Sequence, residues 1–255
     1  MNQIPEPKGL KPAVRMLDLL LRIREDMDSR PTGPYRYIGF PDVDWMVCFN
    51  LGYLEVLTAL GIDEGADRLF GEWFRDVKQA WPGEGWEVAY LRDCDGDQTR
   101  ALRKYLDYVA EFRTVPAQTL AAISWMHPED SQLATRVPQL QPTRVPPPTL
   151  DFLLEIRREI GDTEGRVGLF IGYIQVKRMA ALIAGYRLCL GLVGARDEEY
   201  VRFERWLHDA KGLPEREEWP QPFLDACGGD PERAIRRLLE FAVEFRGLSG
   251  PPSVP

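Results

Sequence analysis

The sequence predicts an all-α fold of two tandem, similar four-helix units related by a pseudo-two-fold axis, and three observations predict it. The first is an internal duplication. Leu17–Arg113 laid on Leu150–Arg246, a constant offset of 133 residues, needs no gap. Roughly 30 of about 97 aligned positions are then identical, far more than chance pairing gives. The second is apolar periodicity near 3.6 in both copies, and the third is helix-terminal punctuation at matching places.

The first helix of each copy is expected over about Val14–Asp28 and Leu150–Ile160, with Leu17, Leu20, Leu21 and Ile23 on its apolar face. The second covers roughly Val43–Leu60 and Val176–Val193 and stops at Gly61 or Gly194. Gly52-Tyr53 and Gly185-Tyr186 sit in its middle. A mid-helix glycine costs about 1 kcal/mol relative to alanine, so its presence in both copies predicts a neighbouring helix passing close. The adjacent tyrosine should plug the core with its hydroxyl at the edge. The third helix carries Phe70, Trp73, Phe74, Val77 and Trp81 at helical spacing in the first copy, and Tyr200, Phe203, Trp206, Leu207 and Ala210 at helical spacing in the second. It ends in a Gly/Pro-rich corner where Pro220 and Pro222 argue against a strand. The fourth starts at the N-caps Asp97 and Asp230, with Pro231 at the favoured first position. Ala101, Leu102, Tyr105, Leu106, Val109 and Phe112, with their counterparts at offset 133, form its core face.

Three further segments complete the chain. Residues 1–16 read as a flexible polar lead-in and residues 247–255 as a disordered tail. Residues 114–149 hold seven prolines and read as a semi-stiff linker with a short helix near Thr119–Trp125.

The net charge is −8, shared as about −7 in the first copy, −3 in the second and +2 elsewhere. Such a balance disfavours nucleic-acid binding, which rests on neutralising phosphates. No apolar run reaches the roughly 18 residues of a membrane span, and a cytoplasmic location is expected. Four cysteines without close pairs predict free thiols. Two histidines without partners at ligand spacing give no support to a zinc site or a catalytic triad. Asp93-Cys94-Asp95-Gly96-Asp97 lacks the ligand register of a calcium loop, and no phosphate-cradling glycine motif occurs. No cofactor is expected.

The duplication also separates shared from special residues. A residue kept in both copies is explained by the shared fold, whereas one kept in a single copy is free for a particular task. Asp42, Asp44, Asp63, Asp93 and Asp95 are acids of the first copy that the second replaces with Gln175, Lys177, Arg196, Ala226 and Gly228. They are the candidate surface for a basic protein partner.

Gly168-Leu169-Phe170-Ile171-Gly172, followed by Gly185-Tyr186 and the Phe203/Trp206 helix, resembles a group of small bacterial proteins roughly one copy long. They carry a GMYIG-like motif, then a helix with GY, and end in a helix with E-F. Some look like immunity proteins of interbacterial competition. The resemblance implies a non-enzymatic protein that neutralises a toxin by occlusion. The residues themselves leave two other classes open: an enzyme or small-molecule sensor using an aromatic-lined cleft between the copies, and a scaffold or adaptor.

Overall fold

The computed structural model describes residues 9–29, 35–38, 42–62, 65–80, 82–123, 140–213 and 219–249, and among these it is all-helical. In chain order the first copy contains α1 (Met16–Ser29), α2 (Tyr35–Ile38), α3 (Val43–Ala59), α4 (Gly65–Glu72, running into a π-turn over Trp73–Val77), α5 (Trp86–Asp93) and α6 (Gln98–Phe112). After α7 (Ala117–Ile123), the second copy contains α8 (Thr149–Ile160), α9 (Gly168–Ile171), α10 (Val176–Val193), α11 (Glu198–Lys211), α12 (Pro220–Ala226) and α13 (Pro231–Ser249).

Helices α3 and α10 form the centre, and no other pair among the described residues shares so extensive a contact. Both are apolar around most of their circumference, as a helix buried on all sides must be. Their approach is limited by backbone. A Cβ on Gly52 would lie 1.9 Å from the carbonyl oxygen of Leu182, and a Cβ on Gly185 would lie 1.9 Å from that of Phe49. Phe49 and Leu182 are themselves one offset apart, so the crossing is reciprocal. The neighbour that the two glycines predict is therefore the matching helix of the other copy.

Other matched positions make matched contacts. The Tyr53 and Tyr186 hydroxyls donate to the carbonyls of Val14 and Pro147 at 2.7 and 2.8 Å, which locks each first helix against its central one. Asp97 and Asp230 accept from the backbone of Arg100 and Arg233, both at 3.0 Å, as N-caps. Lys78 and Lys211 reach Glu111 and Glu244, both at 2.8 Å. Arg113 and Arg246 bind Asp18 and Asp151. The six expected core positions of α6 and their counterparts on α13 are all buried.

Several expectations change. Each copy has more than four helices, because the corner after the third is itself helical and a short helix, α2 or α9, precedes the central one. Pro220 excludes a strand there but suits the first turn of α12, where its missing N–H has no partner to lose. The third helix of the first copy does not keep its face to Trp81, which lies outside the described residues. The π-turn over Trp73–Val77 adds a residue to the turn, leaving Trp73 and Phe74 buried and Val77 exposed. Trp206 is only half-buried where Trp73 is buried, and Ala210 is exposed.

The lead-in is not a free arm over its described part. Lys11 N–H donates to Val193 O, while Arg144 N–H donates to Leu60 O, so each copy's leading segment crosses to the end of the other copy's central helix. Ala13 N–H also donates to Leu140 O at 2.8 Å, tying the two segments together. The linker helix is observed as α7, anchored by buried Leu120, while Trp125 lies outside the described residues. The tail is helical to Ser249, and 250–255 are likewise outside.

Gly52→Ala and Gly185→Ala should each lower stability by about 2 kcal/mol, because overpacking against backbone outweighs the gain in helix propensity. Gly191→Ala, on the same helix with nothing within 4 Å of its Cβ position, should raise it by about 0.5–1 kcal/mol. Urea titration of the three variants reads the difference.

Candidate functional site

Where the N-terminal turns of α3 and α10 flank the crossing, the copies diverge most usefully. Trp45 and Arg178 occupy matched positions, as do Asp44 and Lys177, and Glu87 and Pro220. Arg178 is only 2% exposed. Its guanidinium donates to Asp44 at 2.7 Å, to Glu87 at 3.1 Å and to the Ile171 carbonyl at 3.2 Å. The Tyr173 ring lies 4.9 Å from its Cζ. A planar fork holds two carboxylates and a carbonyl at once, which an ammonium could do less well.

Four of the five candidate acids can be placed. Asp42 caps α3, accepting from the Trp45 backbone at 3.0 Å, and turns its other oxygen to Lys177 at 3.3 Å. Asp44 takes Lys177 at 2.9 Å as well as Arg178. These two acids therefore pair with cations of the second copy and hold the copies together, rather than forming a free face. Asp93 is occupied by Lys104 at 2.7 Å, whose hydrogen bond holds its carboxyl below the usual range. Asp95 is exposed in the turn after α5, at φ 56°. Asp63 lies outside the described residues. The structure brings Asp42 and Asp44 together and leaves Asp93 and Asp95 at a separate corner.

Burial opposes the Asp44 charge, yet the hydrogen bonds from Arg178 and Lys177 outweigh it and hold the carboxyl below the ordinary value of 3.8. Nearby, Cys48 donates to the Ile171 carbonyl at 3.5 Å, and burial pushes its thiol up to about 12, so it stays protonated at neutral pH.

The unlike residues leave two unlike hollows. On the first copy, Val43, Asp44, Glu87, Val88, Leu91, Arg92 and Gly96 surround about 310 Å³. On the second, Ile174, Gln175, Val176, Lys177, Pro220, Gln221, Leu224, Gly229 and Pro231, with Trp45 reaching in from the first copy, surround about 640 Å³. A third hollow of about 330 Å³ also lies between the copies. Glu55 and Ala59 of α3 face Phe152, Glu155 and Glu159 of α8, with Phe170 and Tyr186 beside them. Phe152 stacks on Tyr186 at 4.2 Å. Burial, and then the Glu155 charge, raise the Glu55 carboxyl. At the matched places stand Leu188 and Leu192 for Glu55 and Ala59, and Arg22 for Glu155.

Next to this hollow, the GLFIG turn buries Ile171 but leaves apolar side chains on the surface. Leu169 is 79% exposed and Tyr173 55%, with Phe170 between them partly buried. Arg36 holds the first-copy place of Leu169. Sequence reasoning singled out the motif but not the outward direction of these side chains. It missed Arg178, Glu87 and Trp45 as well, although the mismatches Trp45/Arg178 and Glu87/Pro220 were there to find.

The first copy also keeps a polar group of its own. Asn50 donates to the Tyr105 hydroxyl at 3.2 Å, Trp86 stacks on Tyr105 at 4.2 Å, and burial pushes the nearby Asp67 carboxyl up to about 6. Among the described residues no group of three or more His, Cys, Asp or Glu is placed to hold a metal ion. No helix there is long and apolar enough to cross a membrane. No family model matches the chain, and no curated protein or solved structure does either.

Arg178→Met should cost about 3–5 kcal/mol, since it takes from the buried Glu87 its ion-pair partner and leaves Asp44 only Lys177. The folded pKa of Asp44 is depressed, so its share of stability is complete above about pH 4 and is lost as the pH falls through the folded value. Denaturant titrations from pH 7 to pH 3 should therefore show wild type and variant converging in acid. Asp67→Asn should do the opposite. A raised carboxyl costs stability as the pH rises from about 4 towards 6, so this variant should gain over wild type on the order of 2 kcal/mol at pH 8 and little at pH 4.

Proposed function

We propose that the chain is a non-enzymatic binding protein of two tandem four-helix-based units with pseudo-two-fold symmetry. In its most concrete form it is an immunity protein that neutralises a bacterial toxin by direct occlusion. The reciprocal glycine crossing and the matched tyrosine, capping and ion-pair contacts support the symmetry. The exposed corner of Leu169, Phe170 and Tyr173 carries the binding reading. Large apolar side chains grouped at the surface mark contact sites, and a tyrosine beside aliphatic neighbours is a common anchor.

The partner would be basic. Glu55, Glu155 and Glu159 stand beside the corner, and the whole chain carries a net charge of −8. Such a rim speeds capture of a cationic surface, with a rate that falls as salt rises. Asp42 and Asp44 serve this reading only indirectly, by holding the copies in place. Asp95 and Asp93 contribute to the general field at a separate corner.

If a toxin gene adjoins this one, the test is survival of cells expressing that toxin, with and without this protein. Protection is expected, and Leu169→Asp combined with Tyr173→Ala should abolish it while leaving thermal unfolding within a few degrees of wild type. Absence of protection by the wild type would contradict the function. Full protection by the variant would contradict this surface.

A further inference from the structure

The duplication supplies an internal control for the hollow of about 640 Å³ on the second copy. Its counterpart on the first copy is about half that size, and the reason is chemical. There Arg178 enters from the other copy and finds Asp44 and Glu87, so an ionic cluster closes the space. On the second copy the entering residue is Trp45, the place of Asp44 is taken by Lys177 and that of Glu87 by Pro220. No guanidinium enters and no acid waits for one. The same architecture is filled on one side and left open on the other.

We infer that this hollow is a binding site for a small, flat, largely apolar and uncharged organic molecule, held between Trp45 and the Ile174–Lys177 and Pro220–Leu224 segments. The volume falls within the range of pockets that enclose drug-sized ligands. Trp45, Ile174, Val176, Leu224 and the proline rings give apolar walls, which favour a planar hydrocarbon or heterocycle over a sugar. The charge is already settled inside the protein. Lys177 is the one cation of the lining, and Asp42 and Asp44 stand 3.3 and 2.9 Å from it. Asp44 is shared with Arg178, whose other carboxylate is Glu87, so two cations face three carboxylates. The cluster has no spare positive charge to attract an anion, and an added cation would compete with Lys177 and Arg178 for the same oxygens. The remaining polar groups are the neutral amides of Gln175 and Gln221. The Gln221 nitrogen already donates to Asp225 at 2.8 Å, which turns its carbonyl into the available acceptor. A ligand with one or two neutral hydrogen-bonding groups meets these demands. This assignment does not depend on the toxin reading.

The experiment uses the full chain and N-phenyl-1-naphthylamine, a neutral, planar, apolar probe. Titration should show saturable fluorescence enhancement at one probe per chain. Gln221→Trp, which fills the mouth from an exposed position, should weaken binding at least about tenfold. Val88→Trp, at the matched position of the first copy, should leave it unchanged. Gln175→Trp fills the opposite rim and serves as a second blocking variant should Gln221→Trp fail to fold by circular dichroism. Non-saturable binding, equal loss in Val88→Trp, or unchanged binding in a folded blocking variant would overturn the site. Equal or tighter binding of the sulfonated analogue 1-anilinonaphthalene-8-sulfonate would overturn the assignment to uncharged ligands.

Discussion

Two glycines without side chains allow the whole arrangement. The backbones of α3 and α10 approach until a methyl group at Gly52 or Gly185 would overlap a carbonyl oxygen of the other helix. Contact that close cannot be reached by side-chain interdigitation, and it gives the two central helices the most extensive contact of any pair among the described residues. Tyr53 and Tyr186 follow directly on the glycines and fix each central helix to its own copy through a hydroxyl bond. The crossing thus joins the copies, and the tyrosines transmit its position to the first helices.

Matched contacts build the frame, while mismatched residues make it uneven. Arg178 and Trp45 face opposite copies from equivalent places, one with two carboxylates to meet and the other with none. A buried guanidinium is costly to desolvate and stays only where carboxylates offset its charge. The result is a closed ionic contact on one side and an open apolar hollow on the other. The same logic runs along the next turns of the helices, where Glu55 and Ala59 oppose aromatic rings but Leu188 and Leu192 take the matched positions.

Much of the fold was legible because the repeat doubled every weak local signal. One mid-helix glycine is an anomaly, whereas two at the same register signify a contact. The caps at Asp97 and Asp230 and the core face of the last helix followed from spacing alone. Other features were hidden for physical reasons. A seven-residue helix such as α12 has too few turns to show a period. The π-turn after Glu72 breaks the 3.6 rule without any residue that announces it. The acids at 42 and 44 read as surface because charge in a sequence carries no information on what lies opposite, and only the crossing places Lys177 and Arg178 there.

If the crossing is the constraint on which the rest depends, the two copies must open together. Hydrogen exchange of the intact protein measures this directly, through the amides of Phe49–Val56 and Leu182–Cys189. Both sets should exchange most slowly, with the same opening free energy, equal to that of global unfolding. Two distinct values, with one central helix exchanging while the other remains protected, would contradict it.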